Sequence, residues 1–249
     1  MRPLISIITV TYNAQNSLPA TLESIRRQTF TLFEHLIIDG ASSDDTVRIA
    51  QEAAVPNTRI LSERDRGLYD AMNKGLGLAS GDYVLFLNAG DSLHSPDTLQ
   101  KVADAILAND YPGIVYGQTD IVGPDRRKIA DRHFLAPENL TLQSFSNGMT
   151  VCHQAFYALR KITSNYLTNL KFSADYEWCI RCLQRSHRNV YVGDTVADYL
   201  SEGLTTQNHF KSLRERFWIM TYYYGFFPTL WRHIKKVVSL FKTHHHSAD

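Results

Sequence analysis

The chain lacks most of the features that mark a disulfide, redox or membrane-spanning protein. Cysteine is scarce and odd in number: Cys152, Cys179 and Cys182 are the three in 249 residues. Cys179 and Cys182 have C-x-x-C spacing, but they lie in Asp175-Tyr176-Glu177-Trp178-Cys179-Ile180-Arg181-Cys182, a helical pattern, and no second pair completes a zinc site. Structural, reduced thiols are expected, as in a reducing cytosol. No stretch of 18 uninterrupted apolar residues occurs, so no spanning helix is expected. The apolar run Leu4 to Val10 is too short for a signal peptide. Excess charge of one sign is also missing. A net charge of +1 argues against a nucleic-acid binder, which would be strongly basic.

Glycine-rich phosphate loops are absent as well. The segment Thr11-Tyr12-Asn13-Ala14-Gln15-Asn16 holds no G-x-G-x-x-G, which argues against a dinucleotide-binding oxidoreductase. It also lacks the basic, glycine-rich character that a sugar nucleotidyltransferase normally has after its first strand.

What the chain does have is alternation. Leu4 to Val10 is β-branched and nearly continuous, as a buried parallel strand should be. Asn16-Ser17-Leu18-Pro19 opens a helix that carries Leu22 and Ile25 inward. Leu36-Ile37-Ile38 is a second strand, and Ser43-Asp44-Asp45 supplies a cap and first-turn acids for a helix to about Ala54. A strand at Arg59-Ile60-Leu61, a helix from Tyr69 to Ala79, a strand at Tyr83 to Leu87 and a capped helix from Ser95 to Leu107 follow. This rhythm predicts an α/β fold with a doubly wound, mostly parallel sheet over the first 110 residues. Beyond it the pattern loosens, with strands at Gly113 to Gly117 and Asn189 to Gly193 and a helix from Asp175 to Arg185.

The apolar strands end in acids: Asp39 after the second, Asp65 and Asp70 after the third, Asp91 after the fourth. Open α/β sheets bind ligands at that edge. Carboxylates there suit ribose hydroxyls, the N–H of a base, or a divalent metal carrying a diphosphate. That combination points to a nucleotide-sugar enzyme. Competing structural roles are explicit: Asp39 could cap a turn or helix, and Asp70, Asn73 and Lys74, at helical spacing, could form an exposed ion-pair face.

The opening Ile7-Ile8-Thr9-Val10-Thr11-Tyr12-Asn13, the turn Asp39-Gly40-Ala41-Ser42 and the block from Asp65 to Gly75 resemble the inverting family-2 glycosyltransferases. Phe86-Leu87-Asn88-Ala89-Gly90-Asp91 and Cys152-His153-Gln154-Ala155-Phe156 resemble the branch that builds bacterial surface polysaccharides, colanic-acid-type transferases among them. The resemblance covers Leu4 to about Asn208. It implies a Rossmann-like GT-A fold with a catalytic domain over 1–208, split into a nucleotide-binding half (1–110) and an acceptor half (111–208). It further implies that Thr11, Tyr12, Asn13, Asp39, Asp65, Asp70, Asn73, Lys74 and Asn88 bind a UDP- or GDP-sugar. Asp91 would hold Mn²⁺ or Mg²⁺ on the donor diphosphate. Other members often carry acids where Asn88 and Gly90 stand, so Asp91 is left as the lone charged ligand of its segment. Asp175 matches the family's catalytic base and Glu177 is the fallback. As alternatives, Asp175 could be the N-cap of its own helix, and His153 a satisfied structural histidine. His153, Gln154 and Thr205 are implied near the acceptor or the diphosphate. The implied reaction moves a sugar, with inversion, to a carbohydrate or lipid-linked saccharide acceptor in polysaccharide or glycolipid biosynthesis. A catalytically degenerate nucleotide-sugar-binding protein is the rival from another class.

Residues 209–249 form a distinct section. Phe217 to Trp231 is crowded with aromatics, and Arg232, Lys235 and Lys236 follow. Rings interleaved with cations suit a helix lying on the inner face of a membrane, and equally a helical hairpin packed on the domain. His244-His245-His246 could be a metal-binding tract, with a disordered tail the better reading.

Overall fold

A strand that is apolar on both faces can only be central, and Ile5–Thr11 (β1) is buried at every residue. In the computed structural model, which describes residues 2–201 and 209–245, β1 pairs in parallel with Phe33–Asp39 (β2) and Tyr83–Phe86 (β4). Thr58–Ser62 (β3) adds in parallel beyond β2, at the partly exposed edge. Helices Leu18–Arg26 (α1), Thr46–Glu52 (α2), Leu68–Leu78 (α3) and Thr98–Ala108 (α4) make the connections. α3 lies close on β1 because Gly75 has no side chain: a Cβ there would overlap Ile8 Cγ2.

The second half extends the same sheet with mixed direction. Ser92–Leu93 (β5), Ile114–Val122 (β6), Lys128–Asp131 (β7), Phe156–Leu159 (β8) and Asn189–Leu200 (β9) complete nine strands in the order β3-β2-β1-β4-β8-β6-β9-β5, with β7 beside β6. β8 runs antiparallel to both β4 and β6, whereas β9 runs parallel to β6. Helix Ala174–Arg185 (α5) packs Trp178 and Ile180 into the core.

Two helices close the chain, His209–Tyr224 (α6) and Phe226–His245 (α7). α6 is more than an appendage. Ile219 and Met220 are buried in the main core, a burial worth about 3–6 kcal/mol for the pair. Glu215 accepts the backbone N–H groups of Lys171, Phe172 and Ser173 at 2.8–3.0 Å, and so holds the chain entering α5. The packed-hairpin alternative therefore describes α6. Its other face, with the start of α7, leaves Trp218, Tyr222, Phe227 and Trp231 exposed.

Local expectations needed correction at the caps. Ser17 stands at the N-cap of α1 but makes no side-chain cap bond, and Asp45 makes none for α2. Asp44 does that work instead, accepting Thr46 N–H at 3.0 Å and Gln15 N–H at 3.2 Å. All three cysteines are free and buried. Thr205 lies outside the described residues, as does His246, while the α7 backbone continues to His245.

Candidate functional site

The C-terminal ends of β1, β2 and β3 meet at Asp39. Its carboxylate accepts Thr11 Oγ1–H at 2.9 Å, Ser42 N–H at 2.9 Å and Ser62 Oγ–H at 2.7 Å, besides the Ser42 hydroxyl. A carboxylate offers about four lone-pair sites, so these donors fill it. Burial would raise the Asp39 carboxyl, but the hydrogen bonds from Ser42, Ser62 and Thr11 outweigh it and hold the group below the usual carboxylate range. Asp39 thus fastens the three strand ends together.

The open acceptor beside it is Asp65. A Cβ on Gly40 would lie 2.6 Å from Asp65 Oδ2 and 3.3 Å from the Tyr12 ring, so glycine is what lets these groups converge. Asp65 Oδ1 takes Gly67 N–H at 2.8 Å. Tyr12 is 68% exposed, an aromatic face set at the mouth of the crevice. Asn13, in the left-handed region at φ 47°, accepts Ser43 N–H at 2.9 Å and donates its own N–H to Ser42 Oγ at 2.8 Å. The Thr11-Tyr12-Asn13 loop and the Ser42-Ser43 loop are thereby locked together.

On α3, Asp70 pairs with Arg66 at 2.7 Å, and that hydrogen bond keeps its carboxyl below the usual range. Lys74 is held by the Arg64 carbonyl at 2.7 Å and Glu63 at 2.8 Å. Asn73 exchanges both amide bonds with the Tyr166 backbone at 3.0 and 2.7 Å. The ion-pair alternative fits Asp70 and Lys74, and Asn73 ties α3 to the segment around Tyr166.

The centre of the crevice joins the two halves. Asn88 Nδ2 is 3.2 Å from His153 Nε2, and His153 Nδ1 is 3.2 Å from Asp175 Oδ2. An amide NH₂ can only donate, so Nε2 accepts and Nδ1–H points at Asp175. Tyr69 donates its hydroxyl to Asp175 Oδ1 at 3.3 Å. The N-cap of α5 is Ser173, and Asp175 lies inside the first turn with its carboxylate facing His153. Asp175 therefore does not cap its helix. Burial alone would raise its carboxyl, yet the His153 hydrogen bond, the Arg216 charge and a backbone N–H hold it below the usual range. Glu177 is closed off, bound by Arg181 at 2.8 Å and by the Tyr223 hydroxyl at 2.6 Å.

Asp91 lies next to this chain of contacts. It is 5% exposed and accepts Gln154 Nε2–H at 2.7 Å and Leu200 N–H at 3.1 Å. Burial pushes its carboxyl up to about 6, against the Gln154 and Leu200 hydrogen bonds and the Arg126 charge. Two amide oxygens of its neighbours, Asn88 Oδ1 and Gln154 Oε1, are buried with no hydrogen-bond donor. An acid short of positive charge beside unsatisfied oxygens is a donor set that fits Mg²⁺ or Mn²⁺. A second cluster, His94, Asp120 and Asp198, brings ligand atoms within 4.8 Å. Its carboxylates are already partnered, with His94 2.7 Å from Asp198 and Lys128 2.9 Å from Asp120.

Sequence reasoning missed Arg126, Tyr69, Ser62 and Arg216. Arg126 reaches from the β6–β7 turn to the Gly90 carbonyl at 2.6 Å. Nothing in Gly-Pro-Asp-Arg-Arg marks that reach. Tyr69 was within sight, one residue before Asp70.

Residues 6–167 match the family model described as "Glycosyl transferase family 2". The "PGL/p-HBAD biosynthesis glycosyltransferase" of Mycobacterium bovis is 37% identical over 187 residues, which cover 72% of this chain and 70% of that protein. Among solved structures, S. aureus TarS residues 1–349 superpose with a TM-score of 0.68 at 18% identity, covering 94% of this chain and 72% of that one. Mannosyltransferase PcManGT from Pyrobaculum calidifontis, determined with GDP-Man and Mn²⁺, gives a TM-score of 0.64 at 16% identity, covering 100% of this chain and 81% of that one. The two structural likenesses carry the fold.

Proposed function

The chain belongs to glycosyl transferase family 2 and is a nucleotide-sugar glycosyltransferase of glycoconjugate biosynthesis; from that premise we propose that it transfers one sugar with inversion, using Asp175 as base. The observation that carries the reading is the unbroken contact from Asn88 through His153 to Asp175. It joins the end of the donor half to an ionised carboxylate on the acceptor half. In the reaction, Asp175 takes the acceptor hydroxyl proton as the oxygen bonds to the sugar's anomeric carbon. The bond from that carbon to the diphosphate breaks on the opposite face, and the nucleoside diphosphate leaves. His153 and Tyr69 orient the Asp175 carboxylate. Tyr12 and Asp65 offer a stacking face and an acceptor for the base of a UDP- or GDP-sugar, and Asp39 and Asn13 hold those loops in place.

Asp91, with Asn88 and Gln154, would hold Mn²⁺ or Mg²⁺. When bound, such an ion supplies positive charge against the diphosphate. Among the described residues no helix is long and apolar enough to cross a membrane. The exposed rings of α6 and α7, with Lys235 5.3 Å over Trp231, support peripheral contact with anionic lipid and a lipid-linked saccharide acceptor.

The test is turnover of UDP- and GDP-sugars, by transfer or slow hydrolysis, in wild type and Asp175→Asn. The variant should lose about 10²–10⁴-fold in rate, with nucleotide binding kept. Full activity in Asp175→Asn removes that residue from the role. Donor binding without turnover by the wild type would favour the degenerate binding protein.

A further inference from the structure

An arginine that is partly withdrawn from water needs an anion or a set of acceptors, because its desolvated charge is otherwise uncompensated. Two arginines on the C-terminal hairpin lack that. Arg216 on α6 has its Nε closed to solvent and without a hydrogen-bond partner, and Arg232 on α7 has its Nη1 in the same condition. Neither forms an ion pair with a described residue.

The nearby acids are committed elsewhere. Glu215 is used by the three backbone N–H groups before α5. Glu177 is used by Arg181 and Tyr223. Asp175 faces His153 and Tyr69. Arg216 lies one turn beyond Ser212, whose hydroxyl meets Ser173 Oγ at 3.1 Å at the start of α5. The Phe217–His233 ring contact at 5.2 Å brings the neighbours of Arg216 and Arg232 together across the hairpin. There both charges bear on Tyr176, and that of Arg216 on Asp175. Two cations therefore lie near the start of α5, each with one buried N–H nitrogen that meets no described protein atom.

We propose that Arg216 and Arg232 seat a phosphate group of the acceptor beside Asp175, so that the substrate class is a phosphate-bearing saccharide. The inference rests on the transferase reading above. A guanidinium fork matches phosphate oxygens in pairs of hydrogen bonds. Two guanidinium groups also exceed what one carboxylate neutralises, which favours phosphate over a uronic acid. The same hairpin presents Trp218, Tyr222, Phe227 and Trp231 outward, at the depth where lipid phosphates lie. The phosphate can thus belong to a polyprenyl carrier or to a soluble sugar phosphate.

The experiment titrates inorganic phosphate, in EDTA, into the full chain and follows its melting temperature, for wild type, Arg216→Gln, Arg232→Gln and Arg216→Lys. The expected result is a saturable rise in wild type. Half-saturation should move up about tenfold or more in each Gln variant, the loss of a charged hydrogen bond of about 1.5–3 kcal/mol, with partial retention in Arg216→Lys. No rise in wild type, or a half-saturation in both Gln variants equal to that of wild type, overturns the proposal. Stabilisation by UDP or GDP with Mn²⁺, run on the same proteins, reports folding and the donor site separately. Its failure in wild type would sink the transferase reading, whereas its survival with no phosphate response would sink only the phosphate seat. A second arm identifies the source. Phosphatidylcholine vesicles carrying a few per cent of polyprenyl phosphate are compared with glucose 1-phosphate, and dependence on Arg216 and Arg232 in one arm assigns the phosphate to that source; dependence in neither contradicts the proposal.

Discussion

Asp91 and Asp175 are both withdrawn from solvent, yet their surroundings drive them in opposite directions. Burial lifts Asp91 to about 6, whereas His153 and Arg216 hold Asp175 low despite burial. Pairs of carboxylates pushed apart in this way are suited to different tasks, which in the proposed reaction are ligand and base. Asn88, Asp91, His153, Gln154 and Asp175, each in a short motif at a strand or helix end, are residues the sequence singles out and the structure brings together. What the sequence could not show is who already occupies a side chain. Asp39, Asn73 and Lys74 look free in one dimension, and only tertiary contact shows Ser62, Tyr166 and Glu63 on them. The Gly40 approach gives a sharp test. Gly40→Ala should weaken UDP or GDP binding about tenfold or more by forcing Asp65 and Tyr12 aside, since clashes of this kind cost about 1–3 kcal/mol. Unchanged nucleotide affinity by calorimetry would show that the base binds elsewhere.

At the scale of elements, the parallel strands were readable from unbroken apolar runs, and the helices from their spacing. β8 was not, because Phe156–Leu159 is four residues long and directly follows a motif of polar residues. β9 was half seen. Asn189 to Gly193 has a strand's composition, but the polar residues Asp194, Thr195 and Asp198 hide its continuation to Leu200. Glu215, which fastens the entry to α5, stands among aromatic and basic residues, and its backbone partners lie more than 40 residues away in sequence. Glu215→Gln should lower stability by about 1.5–3 kcal/mol, as charged hydrogen bonds are weakened. Turnover should fall with it, since Asp175 rides on α5. A urea midpoint equal to wild type would mean that α5 does not depend on α6.

For the whole molecule, acid is the stress that distinguishes this fold. His35 is buried, and burial depresses its pKa to about 3. Below pH 6.5 the unfolded chain takes up a proton that the folded chain refuses, so stability falls as pH drops. The slope approaches about 1.4 kcal/mol per pH unit until the folded value is reached. Glu34 and Asp39, both depressed, add a loss at lower pH. Asp91, lifted to about 6, is protonated first in the folded chain and offsets this slope between about pH 6 and 4. The test is therefore the comparison: urea midpoints should lose more from pH 7 to 4 in wild type than in His35→Gln, and parallel profiles would contradict the buried neutral histidine. The exposed rings make a separate prediction. Co-sedimentation with anionic vesicles should weaken about tenfold or more in Trp231→Ala and in Phe227→Ala, because a large apolar side chain gains about 1.5–3 kcal/mol on burial. Binding to neutral vesicles should be much weaker in every form.

The most direct test of the account is the melting temperature of the wild-type chain with UDP, GDP and their sugars, each with Mn²⁺ and with EDTA. A ligand bound only by the folded state must raise it. The account predicts a rise with one nucleotide that collapses in EDTA and in Asp91→Ala. No rise with any nucleotide, metal present or absent, would contradict it.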